Sequence, residues 1–191
     1  SPWRTAFASL DEDTQGLPFR EVEPVLIDEL GPDWHHQLRR LDPAPAAAAS
    51  LGQVHMAEYD GRLVAVKIQY PGVREAVRAD LRMLSAGVRA MRMTRRGRLL
   101  RPLVGELRRR LLAELDYIRE GESQDRYAYA FAGDPDTTVP GVHLATPRVL
   151  VTDWMDGTPL VRVAASGSQE DRDRLGERYQ RFLLCGPSRT G

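Results

Sequence analysis

Pro43-Ala44-Pro45-Ala46-Ala47-Ala48-Ala49-Ser50-Leu51-Gly52-Gln53-Val54-His55, continuing through Asp60-Gly61 to Val64-Ala65-Val66-Lys67, is the stretch on which the fold turns. It reads as strand, tight turn, strand, Asp-Gly hairpin, strand. Val54 to Tyr59 and Arg62 to Gln69 are rich in β-branched and apolar residues, and Asp-Gly is among the strongest short hairpin signals. Lys67 stands out because it is the single lysine in a chain with 27 lysine and arginine residues together. Arginine presents a wide planar fork, whereas lysine presents a compact point charge on a slim stem. A chain that otherwise uses arginine keeps the slim cation in the middle of an apolar strand. A residue that must thread between an anion and a carboxylate needs that shape; an edge-strand lysine that discourages aggregation is the alternative.

The kinase pattern G-x-G-x-x-G-x-V can be laid over this stretch. Gly52 and Val54 fall on its last two fixed positions, and Ala47 and Ala49 replace the first two glycines. The V-A-I-K pattern of the third kinase strand then falls on Val64-Ala65-Val66-Lys67. Together with Ala48, Ser50, Leu51 and the run Ile68-Gln69-Tyr70-Pro71-Gly72-Val73, these segments closely resemble the UbiB-like atypical kinase family. Its members are relatives of protein kinases linked to quinone biosynthesis, and they carry an alanine-rich nucleotide loop. The resemblance covers roughly Phe19 to the end of the chain.

This resemblance implies a cofactor, ATP or ADP with Mg2+, and a set of residues to hold it. Ala47, Ala48, Ala49, Ser50, Gly52, Val54, Ala65 and Lys67 are expected to form the binding surface, with Lys67 on the α- and β-phosphates. The family's Glu-x-Asp motif falls on Glu114-Leu115-Asp116, and Tyr117 and Glu120 continue the match. Val149 to Gly157 resembles a kinase hinge, with Thr152 as gatekeeper and the Asp153 carbonyl and Met155 amide as the adenine edge. A Lys-x-Gly-Gln motif, typical of the family upstream of the alanine-rich loop, is not found in these 191 residues; with it would go a regulatory element that folds over the nucleotide site.

At 191 residues the chain suits one domain or part of a larger one. Its formal net charge is zero, so nothing in the balance points to nucleic acid. Arg89 to Arg101 carries six arginines within thirteen residues, which reads as a solvated helix face and loop or as a contact for an anionic lipid or membrane surface. Cys185 is alone, so no disulfide framework and no cysteine-rich metal site is expected, and a reducing, cytoplasmic setting fits. No apolar run approaches the ~18 residues that span a bilayer, and there is no signal-peptide core; any membrane contact is expected to be peripheral.

Along the chain, residues 1–42 read as an N-terminal extension, frayed over Ser1 to Gly16. A helix over about Glu21 to Leu30 comes next, with Pro24 in its first turn and Gly31-Pro32 ending it. Asp33 opens a short helix ending near Leu41. His35 and His36, being adjacent, are expected on different faces, and no metal site is predicted. Residues 43–156 read as a kinase-like small lobe. Within it a helix over 73–94 is set off by Val77, Leu81, Leu84, Val88 and Met91, leading into a basic link over Arg95 to Arg98. Pro102, a favoured first-turn residue, opens a single helix over 102–131.

On that helix the stripe Leu103, Leu107, Leu111, Ile118 is interrupted by Glu114. An inward carboxylate is costly unless paired, so Glu114 is the expected partner of Lys67; an ion pair with Arg110 one turn away is the alternative. Asp116 and Glu120 share a face and are candidate additional acids near phosphate or metal, or surface charges. Val139 to Leu144 and Arg148 to Trp154 complete a five-stranded antiparallel sheet, making the class α+β. Residues 157–191 read as the hinge exit and the first helix of a large lobe, from about Gln169 to Leu184, capped by Ser166 or Ser168 and stopped by Gly186-Pro187-Ser188.

A kinase also needs a catalytic Asp on an H-R-D-like loop, an Asn for a second metal and an Asp-Phe-Gly metal ligand; none lies in these 191 residues. The expectation is therefore the nucleotide-binding portion of an ATP-dependent kinase or ATPase supporting isoprenoid-quinone or related lipid metabolism, truncated before its catalytic loop and inactive by itself. The second expectation is a nucleotide-gated, pseudokinase-like binding module for a lipid or protein partner.

Overall fold

The computed structural model describes residues 16–91 and 93–190, so the expected frayed stretch lies outside the described residues except for Gly16. Five strands form one antiparallel sheet in the order β1-β2-β3-β5-β4: Ala47–Ala49, Gly52–Tyr59, Arg62–Gln69, Val142–Ala145 (β4) and Val149–Asp153 (β5). The β2–β3 hairpin closes on Asp60 and Gly61, with φ of 48° and 74°, the left-handed pair that a type I′ turn requires. At β1–β2 the pairing of Ala49 with Gly52 leaves only Ser50 and Leu51 as the turn. No residue from 43 to 51 has a positive φ. Alanine therefore serves where a phosphate loop ordinarily wants glycine, and most of the alanine run is strand. Gly52 cannot be replaced so simply: a Cβ there would lie 2.3 Å from the Ile68 carbonyl oxygen.

Period-two alternation divides the sheet faces. Val64, Val66, Ile68, Val149 and Val151 face a helix, α1 (Phe19–Leu30), and pack on its Val22, Val25 and Leu26. Trp34 from α2 (Trp34–Gln37) and Leu38 close that core. Helix α1 starts two residues earlier than expected, so Pro24 is its sixth residue and not part of its first turn. Arg148, between β4 and β5, holds the end of α1 through Glu29 (2.6 Å) and Asp28 (3.2 Å). Ala65 and Lys67 alternate onto the opposite face, which is left for the site.

Helix α3 (Val73–Ala90) comes after β3. The expected single helix over 102–131 is two: α4 (Arg95–Glu114) and α5 (Tyr117–Ala130). Helix α4 also takes in the residues expected as a basic link, with Pro102 inside it. The chain breaks at Leu115-Asp116 because the Leu115 side chain is drawn into the interior, 1% exposed, and its carbonyl is taken by Gln69 and Arg74. Leu103, Leu107 and Ile118 of the supposed inward stripe are exposed.

Helix α5 lies against the β4–β5 end of the sheet, where Gly121 comes within a methyl's reach of Ala145, Leu150 and Val142. Two further helices, α6 (Leu160–Ser166) and α7 (Gln169–Thr190), complete the described chain. Ser168 Oγ accepts the Asp171 N–H (3.1 Å) at the start of α7, as a capping serine should. The helix runs through 186–188 instead of stopping there. Phe182 reaches Phe131, the residue that ends α5, while Tyr179 and Leu183 are exposed.

Candidate functional site

Lys67 projects from β3, two residues before its end, opposite Val54 of β2 and Leu150 of β5. Its ammonium donates to both carboxylate oxygens of Glu120, at 2.7 and 2.8 Å. The expected pairing with Glu114 is therefore corrected to Glu120. The reason is the helix break: α4 ends at Glu114, and the chain restarts at Tyr117 in a new phase that turns Glu120 toward the sheet. The alternative partner for Glu114 also fails, since Arg110 is held by Glu106 at 2.7 Å.

The Lys67 ammonium also sits over the Tyr117 ring, 4.5 Å from its centroid, within the range of a cation–π contact. Tyr117 is buried, and burial with the nearby Glu120 charge pushes its hydroxyl well above the usual tyrosine range. It therefore stays neutral beside the lysine. Gln69 is fully buried next to it, but the amide oxygen of Gln69 and the Tyr117 hydroxyl both lack a well-formed hydrogen bond.

A cavity of about 600 Å³ opens in front of the pair. Ala49, Ser50 and Leu51 form one wall; Glu114, Tyr117, Arg119, Glu120, Ser123 and Arg126 form another. Of the residues singled out in the sequence, the cavity gathers Ala49, Ser50, Lys67, Glu114 and Glu120. Ala47, Ala48, Gly52, Val54 and Ala65 lie on the adjoining strands and do not line it. Asp116 is the N-cap of α5 and reaches Arg119 at 3.8 Å.

Asp153 and Met155 are at the far end of β5, away from the cavity lining. The Asp153 carboxylate accepts the Gly141 N–H (2.7 Å) and contacts His143 Nε2 (2.7 Å), and these hydrogen bonds, that of His143 foremost, hold its pKa below the usual carboxylate value. This ties the end of β5 to the approach to β4 and sets where the chain leaves the sheet. Met155 is half exposed just beyond. Thr152 Oγ1 leans on the Asp153 carbonyl at 3.5 Å.

Sequence reasoning missed Arg119, Ser123 and Arg126. Their spacing of i, i+4 and i+7 marks one helical face, and that signal was available once the helix was restarted at Tyr117. His35 and His36, expected on different faces, lie side by side with ring centroids 4.5 Å apart and the rings tilted by 40°. Their ligand atoms and those of Asp33 lie within 4.8 Å of one another, all three residues being exposed. Helix α2 is only one turn long, so it does not hold consecutive rings apart.

The profile of the ABC1 atypical kinase-like domain matches residues 9–188. The chain is 34% identical over 171 residues to the mitochondrial atypical kinase COQ8 of Saccharomyces cerevisiae, covering 88% of this chain and 34% of that one. It is 36% identical over 181 residues to the mitochondrial atypical kinase coq-8 of Caenorhabditis elegans, covering 93% and 24%. Among solved structures, a complex of Rv3197 with erythromycin from Mycobacterium tuberculosis superposes with a TM-score of 0.79 at 38% identity, covering 92% of this chain and 44% of that one. The chain thus spans about a quarter to a third of the length of these curated relatives.

Proposed function

Because the chain belongs to the ABC1 atypical kinase-like (UbiB) family, we propose that it is the nucleotide-positioning part of an ATP-dependent kinase or ATPase, and that the whole protein supports isoprenoid-quinone or related lipid metabolism. The observation that carries this reading is the Lys67–Glu120 pair at the mouth of a cavity walled by the Ala49-Ser50-Leu51 turn. A cation fixed at both carboxylate oxygens stands ready for the α- and β-phosphates of ATP or ADP. The amides of a tight turn suit the same anion. Ala65 and Val54 would lie under the base, and the Asp153 carbonyl and Met155 amide would form the adenine edge.

The residues also fit Mg2+. That ion is bound by one or two carboxylates together with substrate phosphates. Glu120 is committed to Lys67, but Glu114 lines the cavity with no ion pair to any described residue. Glu114 and, more remotely, Asp116 are the acids available to it; the remaining ligands would come from an Asp-Phe-Gly-like segment outside these 191 residues. Bound Mg2+ would neutralise phosphate charge. Positioning groups without a catalytic base supply too little transition-state stabilisation for phosphoryl transfer, so binding and not turnover is the property of this stretch.

A second reading, in which the lobe serves chiefly to bind a lipid or membrane surface, is favoured by one observation. Met83, Met93, Leu99 and Leu103 are exposed on α3, α4 and their connection, among the arginines of that region. No described helix is long and apolar enough to cross a membrane. The proposed setting is cytoplasmic with peripheral membrane contact; the mitochondrial names of two relatives belong to those proteins.

Isothermal titration with Mg-ATP and Mg-ADP tests the first reading. Losing a charge-assisted contact costs about 1.5–3 kcal/mol, so Lys67→Ala weakens binding about ten- to hundredfold. Equal affinity of the wild type and Lys67→Ala would remove it. Flotation with anionic vesicles that is independent of nucleotide, together with no nucleotide binding, would favour the second.

A further inference from the structure

Glu114 and Glu120 are six residues apart, and on one unbroken helix they would point about 120° away from each other around the axis. They line the same cavity only because the helix breaks between them. What holds that break is therefore part of what holds the site. The Leu115 carbonyl, which has no helical donor at the break, accepts Arg74 Nη2 at 2.5 Å and Gln69 Nε2 at 3.3 Å. The same Arg74 nitrogen also donates to the Pro147 carbonyl at 3.1 Å. Pro147 in turn accepts the Tyr117 N–H at 3.4 Å, the first amide of α5. Arg74 Nε is buried without a partner, so the side chain is held in place at a cost in unmet hydrogen bonding.

Arg74 is the second residue of α3, which comes directly after the strand that bears Lys67. Two short chain segments therefore form a closed circuit. Lys67 to Arg74 is one, Leu115 to Glu120 is the other, and they are joined at one end by Arg74 on Leu115 and at the other by Lys67 on Glu120.

We propose that Arg74 is a positioning residue for the phosphate end of the cavity: it fixes the α4–α5 break in the register that keeps Glu120 on Lys67 and Glu114 in the same cavity. This rests on the nucleotide reading of the cavity, and it makes the placement of the lysine depend on α3, a helix that does not line it.

The single lysine supplies a direct readout. Labelled with 13C at lysine Cε, the chain gives one side-chain resonance, from Lys67, and Glu120→Gln marks where that resonance lies when the carboxylate is lost. Arg74→Ala is expected to move the signal at least halfway to the Glu120→Gln position and to weaken Mg-ADP binding about tenfold. Arg74→Lys, which can still reach one carbonyl but adds a second labelled lysine and so is read by affinity alone, is expected to bind Mg-ADP within about threefold of wild type.

A wild-type Lys67 signal and unchanged Mg-ADP affinity in Arg74→Ala, with only a lower Tm, would overturn the proposal and leave Arg74 a purely structural residue. If circular dichroism shows Arg74→Ala unfolded, Arg74→Gln, which keeps one amide donor, is read by the same two criteria. Unchanged Mg-ADP binding in Lys67→Ala would overturn the nucleotide reading; the position of the Lys67 signal in Arg74→Ala or Arg74→Gln would still decide the geometric claim.

Discussion

At the scale of single residues, the site turns on which carboxylate Lys67 holds. The lysine was legible in the sequence because it is alone in an arginine-using chain and sits in a strand that pairs on both sides. Its partner was not. Glu114 was favoured for interrupting an apolar stripe, but that stripe presumes a continuous helix, and Leu103, Leu107 and Ile118 prove to be exposed. A double-mutant cycle on Mg-ADP affinity separates the two acids. Lys67→Ala combined with Glu120→Gln is expected to be non-additive by about 1 kcal/mol or more, because the residues act as a unit. Lys67→Ala combined with Glu114→Gln is expected to add within about 0.5 kcal/mol. The reverse pattern would return the lysine to Glu114. Gly52 shows a different kind of legibility: its place in the kinase pattern was readable, but the reason for it, the Ile68 carbonyl 2.3 Å from where a Cβ would lie, exists only in the folded sheet.

At the scale of elements, α5 reaches the site by docking closely on the sheet. Gly121, next to Glu120, leaves no room for a side chain: a Cβ would meet Ala145 Cβ at 3.1 Å and Leu150 Cδ1 at 3.4 Å. Gly121→Val is expected to push α5 outward and destabilise the chain by about 1–3 kcal/mol, with the Lys67 side-chain signal shifting as it does in Glu120→Gln. Stability and Lys67 signal both at wild-type values would contradict the close docking. The strands and their pairing could be anticipated because period-two alternation and Asp60-Gly61 are local signals; the five-strand antiparallel sheet grew out of them. The break at Leu115-Asp116 could not, since neither residue is a helix breaker. It is imposed by burial of the Leu115 side chain and by two donors, Gln69 and Arg74, that lie more than forty positions away in sequence. The alanine run shows the same limit from the other side. Its position was plain, whereas its conformation, mostly strand with a two-residue turn, depends on pairing with Gln53 and Val54.

For the whole molecule, the back of the sheet carries a buried polar link between the N-terminal segment and the strand that leads out of the alanine turn. His55 and Gln53 are both fully buried. His55 Nδ1–H donates to the Asp42 carbonyl (2.7 Å), which leaves Nε2 to accept from Gln53 Nε2 (2.8 Å); the same amide nitrogen donates to the Leu17 carbonyl (3.1 Å). Burial lowers the His55 pKa from its ordinary value, and the Asp42 hydrogen bond and charge only partly offset this. In the unfolded chain the ring protonates near pH 6.5, and in the folded chain only at lower pH. The stability contribution is therefore complete above about pH 6.5 and is lost as pH falls toward the folded value. Between about pH 7.5 and 5.5, denaturant titrations are expected to show the wild type losing more stability than His55→Gln; parallel profiles would mean that the ring takes up its proton as readily in the fold as in the unfolded chain. On the front of the sheet Lys67 meets the cavity, and the most direct test of a nucleotide there is a titration of the 13Cε-lysine-labelled chain with Mg-ADP. The single Lys67 resonance is predicted to shift saturably with added nucleotide, and Lys67→Ala to bind at least about tenfold more weakly by calorimetry. A resonance that stays fixed while nucleotide binds elsewhere on the chain would contradict the assignment of this cavity.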